Sequence, residues 1–182
     1  MNWVVLKSAY AFVCPWLKVR KDHIKQPSGL ELEDFYVIEA SDWVNVIAIT
    51  EDGLFIIEEQ YRYGIKQVCY ELPAGNVSGR ETPLEAAQRE LLEETGYAGG
   101  EWTAYGHYVP NASGMNNVCY TFLAKNVKKV SEPNREESED IIIHLMEFSQ
   151  LEEFLVSGKI VEAVMQAPLW RFLMEKKLTN KQ

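Results

Sequence analysis

The 182-residue chain predicts one mixed α/β layered domain preceded by a short β arm. Three observations carry this: β-branched runs of strand length separated by turn residues, one strongly signalled helix in mid-chain, and two helical patterns that close the chain. A composition that is 47% apolar supplies one full core, and the length argues against a second.

The elements follow in order. The stretch from Ala9 to Trp16 is apolar but short, preceded by Lys7 and broken by Pro15, so it reads as neither a signal peptide nor a membrane span. Trp16 to Glu39 reads as two strands around the turn Pro27-Ser28-Gly29, with alternation in Leu17, Val19, Phe35 and Val37. A hairpin alone is marginal. Asp42 to Thr50 and Leu54 to Glu59 form a second pair across Glu51-Asp52-Gly53, and their β-branched runs predict buried strands. Cys69 to Pro73 leads into a loop. Thr82 and Glu85 then make a capping box with Pro83 at the first helical position, predicting a helix that runs until Gly96. Glu101 to Val109 and Val118 to Lys125 are further strands, joined by the loop from Pro110 to Asn117, and Ile141 to Met146 is another after the acidic loop from Val130 to Asp140. Ser149 with Glu152 predicts a capped short helix ending at Gly158; a last helix covers Val161 to Lys177, bent at Pro168.

The chemistry concentrates on the mid-chain helix. Glu90, Glu93 and Glu94 are spaced i, i+3 and i+4, so three carboxylates share one face and repel unless a cation sits among them. Oxygen-only donors at this density suit Mg²⁺, or Mn²⁺ in its place, rather than zinc. Arg89 is placed to orient one of these carboxylates, while Leu84, Ala87 and Leu91 form the core-facing stripe. Gly75 permits a tight or left-handed backbone, which lets the Ala74 carbonyl face the ion as well. Glu81 either reaches the ion or holds the loop. An isolated E-x-x-E-E run is more often a solvated acidic face; the surrounding glycines and Arg89 favour the ion site.

Composition narrows the partners. The net charge of −9 and the pI near 4.9 leave no basic stripe for a nucleic-acid polymer, whereas a small phosphorylated substrate is compatible because bound cations supply positive charge locally. Cys14, Cys69 and Cys119 are odd in number and lack C-x-x-C spacing, which points to reduced thiols and a cytoplasmic location.

From Gly75 to Tyr97 the chain reads GNVSGRETPLEAAQRELLEETGY, matching G-x5-E-x7-R-E-U-x-E-E-x-G-U at every fixed position, U being a bulky apolar residue. It resembles the Nudix hydrolases. The resemblance implies an α/β/α sandwich around a mixed sheet and a Mg²⁺-dependent enzyme that cleaves a nucleoside diphosphate linked to another group. The metal ligands it implies are Ala74, Glu90, Glu93 and Glu94, with Glu93, Glu94 and Arg89 also in catalytic roles. The runs E-Q-Y-R at Glu59 to Arg62, E-L-P-A-G at Glu71 to Gly75, E-S-E-D-I at Glu137 to Ile141 and the N-terminal hairpin resemble the ADP-ribose and ADP-sugar pyrophosphatases in particular. That likeness implies an N-terminal antiparallel arm (residues 1–40) exchanged in a homodimer and forming part of the nucleotide pocket, followed by the hydrolase domain (residues 41–182). It makes Arg62 and Glu71 substrate contacts and Trp16 a base-stacking residue, although Trp16 suits core or dimer packing as well. Glu137 or Glu139 becomes the general base, with Glu93 and Glu94 as the alternative. One departure stands out: the subfamily places proline about sixteen residues after the box, where Ser113 stands beside Gly114, with Pro110 three positions earlier. Ser113 and Gly114 then border the sugar, and a nucleotide sugar other than ADP-ribose becomes an alternative. A house-cleaning hydrolase of oxidised nucleotides and a catalytically silent ligand sensor are the rival functions.

Overall fold

The computed structural model describes residues 2–135 and 139–179. The chain divides into two units, residues 1–42 with 109–118, and residues 43–108 with 119–182.

The first unit is built on a three-stranded antiparallel sheet of order β1-β2-β3, from β1 (Val4–Val13), β2 (Lys18–Lys25) and β3 (Glu31–Glu39). The predicted hairpin is β2 and β3, with Gly29 at φ 90° in their turn. The sequence reading did not assign β1, which covers the apolar stretch that reads as no membrane span; all ten of its residues are exposed. Asp22 is buried in mid-sheet, where it accepts from Ser8 Oγ at 2.6 Å and from Arg20 Nε at 3.0 Å. The loop from Pro110 to Asn117 belongs to this unit. The Ile38 N–H donates to the Gly114 carbonyl at 2.7 Å, and Met115 bridges Ile38 in parallel.

The second unit holds an eight-stranded mixed sheet with the path β11-β5-β4-β10-β8. In chain order its elements are β4 (Trp43–Thr50), β5 (Phe55–Arg62), β6 (Gln67–Glu71), β7 (Ala74–Asn76), α1 (Pro83–Thr95), β8 (Tyr97–Ala98), β9 (Glu101–Tyr108), β10 (Cys119–Lys129), β11 (Ile141–Met146), α2 (Phe148–Val156) and α3 (Ala163–Thr179). β4 and β10 pair in parallel and the other ladders are antiparallel, so the sheet is mixed as expected. Period-2 alternation divides the core into two faces. Val44, Val46, Ala48 and Ile56 pack with Ala86, Ala87 and Leu91 of α1, while Ile47, Phe55 and Ile57 pack with Leu151 and Leu155 of α2 and Leu169 and Phe172 of α3. Helices on both faces give the α/β/α sandwich.

α1 keeps its expected bounds. Thr82 accepts from the Glu85 N–H at 3.3 Å, and Glu85 accepts from the Thr82 N–H at 2.7 Å. Gly96 ends the helix in the left-handed region at φ 74°. Two expectations need correction. Leu84 is 38% exposed, and Ala86 joins Ala87 and Leu91 in the core instead. α2 begins two residues early, at Phe148, because Gln150 caps Glu147 through a 3.0 Å bond to its N–H, which leaves Ser149 inside the helix. No helix among the described residues is long and apolar enough to cross a membrane.

Candidate functional site

Three elements of the second unit bring the acidic residues together. α1 lies on β4 and β7, so its i, i+4 pair Glu90 and Glu94 is turned toward the sheet: Glu90 is 8% exposed and Glu94 3%. Glu93 points outward, with its side chain 42% exposed. The expected single acidic face is therefore split between a buried pair and one surface member.

Arg89 organises this face. Its guanidinium donates to Glu81 at 2.9 Å and 3.1 Å, to Glu90 at 2.9 Å, to Glu93 at 3.0 Å and to the Asn76 carbonyl at 3.1 Å. Glu81 also accepts from the Ser78 N–H at 2.7 Å. Arg89 and this N–H pull the Glu81 carboxyl down to about 2, which identifies its task here as holding the loop. Glu94 accepts from the Ala74 N–H at 3.0 Å, so the strand that leads into the box and the helix within it meet at one carboxylate. Of the two expected backbone forms at Gly75, tight or left-handed, the left-handed one is not taken. The glycine is required for closeness: a Cβ there would stand 2.0 Å from the Glu90 carboxyl carbon.

A residue that sequence reading missed completes the cluster. Glu58 of β5 is fully buried, and among the described residues neither of its carboxylate oxygens has a hydrogen-bond partner. Alternation from Ile56 puts it on the α1 side of the sheet, between Glu71 of β6 and Ile143 of β11. Burial raises the Glu58 carboxyl well above the usual range, opposed by Arg135 and reinforced by Glu71; burial raises Glu94 likewise, reinforced by the charges of Glu58 and Glu90. The signal was present as an acid inside the otherwise apolar L-F-I-I-E-E run.

The acidic-loop candidates fare differently. Glu139 acts electrostatically on Glu58, Glu90 and Glu94, so the fold brings it to the cluster. Glu137 lies outside the described residues. A second grouping joins two expected substrate contacts, Arg62 and Glu71. Glu71, 1% exposed, accepts from Arg62 Nε at 2.9 Å and Nη2 at 2.5 Å, and from Gln60 at 3.3 Å. Its carboxylate is thereby spent on orienting Arg62, whose side chain remains 45% exposed. Trp16, Ser113 and Gly114 belong to the other unit. Trp16 lies outside the strands and is 85% exposed, and Ser113 closes a turn by donating its hydroxyl to Asn111 at 2.7 Å.

The donor set fits a hard divalent cation. It is all oxygen, and Glu58 adds two buried carboxylate oxygens with no proton donor. Among the described residues no three acidic, histidine or cysteine side chains already stand at ion-holding spacing, since Arg89 engages Glu90 and Glu93 and the Ala74 N–H engages Glu94.

The profile of the NUDIX domain matches residues 42–164, which embraces this whole cluster. The chain belongs to the Nudix family. An ADP-ribose pyrophosphatase from Bacillus subtilis is 34% identical over 120 residues, 66% of this chain and 62% of that one. A methanol dehydrogenase activator from Bacillus methanolicus is 28% identical over 124 residues, 68% of this chain and 66% of that one. The chain thus spans a little under two thirds of these curated relatives. A crystal structure of an ADP compounds hydrolase superposes with a TM-score of 0.82 at 18% identity, covering 100% of this chain and 96% of that one, which establishes the shared fold.

Proposed function

We propose that this Nudix protein hydrolyses the diphosphate linkage of a nucleotide sugar, ADP-ribose or a related ADP- or GDP-sugar, to a nucleoside monophosphate and a sugar phosphate. The observation that carries this reading is the pairing, within one unit, of a buried carboxylate cluster with an arginine preset for phosphate: Arg62 is fixed by the buried Glu71 and still faces solvent. A guanidinium held in this way binds an anion with little further ordering cost.

The residues divide the work by chemistry. Glu90 and Glu94, joined by Glu93 and the Ala74 carbonyl, would hold Mg²⁺, with Mn²⁺ as a substitute. When bound, the ion neutralises charge developing on the bridging and leaving oxygens of the diphosphate. Arg62 orients the diphosphate. Glu139 is the base assigned to take the proton from attacking water, on the ground that its charge acts on Glu58, Glu90 and Glu94; Glu137 and the box glutamates are the alternatives. Arg89 keeps the carboxylates oriented. Trp16 offers an exposed indole for stacking on the base, worth ~1–3 kcal/mol, and Ser113 with Gly114 borders the sugar. A homodimer formed through the N-terminal sheet and a cytoplasmic location complete the reading.

The test is hydrolysis of a panel of ADP-ribose, ADP-glucose and GDP-mannose with Mg²⁺, read by phosphatase-coupled phosphate release. At least one sugar should turn over, and Glu94→Gln should lower that rate by roughly 100-fold or more, because a neutral amide is a poor ligand for a hard cation. Turnover of oxidised nucleoside triphosphates alone would replace this reading with the house-cleaning one. Binding of the sugars without turnover would favour the silent sensor.

A further inference from the structure

We propose that Glu58 is an additional carboxylate of the ion site, supplied by β5 from the sheet side to the divalent cation that α1 holds. The inference rests on the reading of the Glu90 and Glu94 face as an ion site. It extends that site to a residue outside the signature.

Glu58 is a costly side chain to bury. A buried carboxylate without proton donors loses its hydration and regains nothing, which is expensive enough that such groups are paired, protonated or bound to metal. Glu58 has no access to solvent, and both its oxygens lack partners. The two cations whose charges reach it are committed elsewhere. Arg62 directs its bonds to Glu71, and Arg135 donates to the backbone carbonyls of Glu94 at 2.7 Å and Ile141 at 2.5 Å. Its other neighbours make matters worse: Glu71 is directly opposite in register, and Glu94 and Glu139 add negative charge. Apolar side chains of the same size would fill this position on the α1 face without penalty, as Ile56 does two residues earlier.

Location supplies the second half. Strand alternation directs Glu58 to the sheet face that α1 covers, and its charge acts on Glu94 of that helix. Glu59, the next residue, faces the opposite side and bonds His144 at 2.7 Å, so the two adjacent acids have separate environments. A cation between Glu58 and Glu94 would relieve both carboxylates at once.

The experiment measures ion binding directly, without turnover. Mn²⁺ is titrated into the ion-free protein and followed by electron paramagnetic resonance, with thermal unfolding recorded with and without the ion, for wild type, Glu58→Gln and Glu59→Gln. Glutamine keeps the size of the side chain and removes its charge. The expected result is an apparent Mn²⁺ Kd weakened by roughly tenfold or more in Glu58→Gln, together with a higher unfolding temperature for the ion-free variant and a smaller rise on adding Mn²⁺. Glu59→Gln should bind as wild type does. A Kd for Glu58→Gln within about twofold of wild type overturns the proposal. Wild-type protein that binds Mn²⁺ but hydrolyses no nucleotide sugar overturns only the substrate reading. Wild-type protein that binds no divalent ion overturns both.

Discussion

At the scale of single residues, Gly75 shows how a backbone position constrains a side chain several residues away. Its requirement is space, because the Glu90 carboxyl carbon occupies a point 2.0 Å from where a Cβ would be built. The obstructing atoms are the end of a flexible side chain, so Gly75→Ala can be accommodated by swinging Glu90 aside, at a stability cost within about 1–2 kcal/mol. The swing, however, takes Glu90 from Arg89 and from its partner Glu94. Hydrolysis should therefore fall by roughly tenfold to 100-fold while the unfolding temperature drops only a few degrees. Circular dichroism melts beside steady-state rates would check this, and activity within twofold of wild type would show that Glu90 is not needed in its present position. In the sequence, Gly75 signals only dihedral freedom; the close approach of Glu90 follows from the packing of α1 on β7, a contact between segments that no local pattern marks.

At the scale of elements, the acidic loop is fastened to the end of α1. The last carbonyls of that helix are met in turn by the Asn134 N–H on Glu93 at 2.8 Å, Arg135 Nε on Glu94 at 2.7 Å, Lys129 Nζ on Thr95 at 3.0 Å and the Val130 N–H on Gly96 at 2.9 Å. These satisfy the carbonyls that a helix C-terminus leaves unpaired. Arg135 also reaches Ile141 at the start of β11, so one guanidinium joins the end of α1 to that strand. Arg135→Gln should lower kcat by roughly tenfold or more, with KM little changed, because the loop is loosened while Arg62 still binds the diphosphate. Arg135→Lys should fail to restore the rate if the bridge between two carbonyls is what matters. A uniform rise in KM at constant kcat would count against this role. Little of the clamp was legible in advance. The helix bounds followed from Thr82, Glu85 and Gly96, which are local rules, and the strands followed from their β-branched runs. Arg135 and Glu58 act through contacts between segments far apart in sequence, and no local pattern marks them except an acid in an apolar run. β1 went unassigned because its apolar residues, Val4, Val5, Leu6, Tyr10, Phe12 and Val13, do not follow an alternating pattern, and all ten of its residues are exposed.

At the scale of the whole molecule, that uncovered strand bears on how the protein exists in solution. β1 is an edge strand of a three-stranded sheet, and Val4, Val5, Leu6, Tyr10, Phe12 and Val13 are each about half exposed, at 46–57%. A long apolar edge of this kind is an association surface, because unpaired backbone groups and contiguous apolar area both favour pairing with another chain. The net charge of −9 opposes nonspecific clumping, and a symmetric contact between two copies is the form the proposed homodimer would take. The homodimer proposed above accordingly predicts a dimer at micromolar concentration in sedimentation velocity. Replacing Val5 and Phe12 together by lysine should convert it to monomer, because two charges would be buried unpaired at the contact. Charged side chains are at home on an exposed strand, so the ion-binding unit should keep its Mn²⁺ affinity in that monomer, whereas nucleotide-sugar hydrolysis should weaken through a higher KM if the sheet forms part of the nucleoside pocket. A wild-type chain that sediments as a monomer would remove the dimer from the reading. A double variant that becomes monomeric with KM unchanged would keep the dimer and remove the sheet from the pocket.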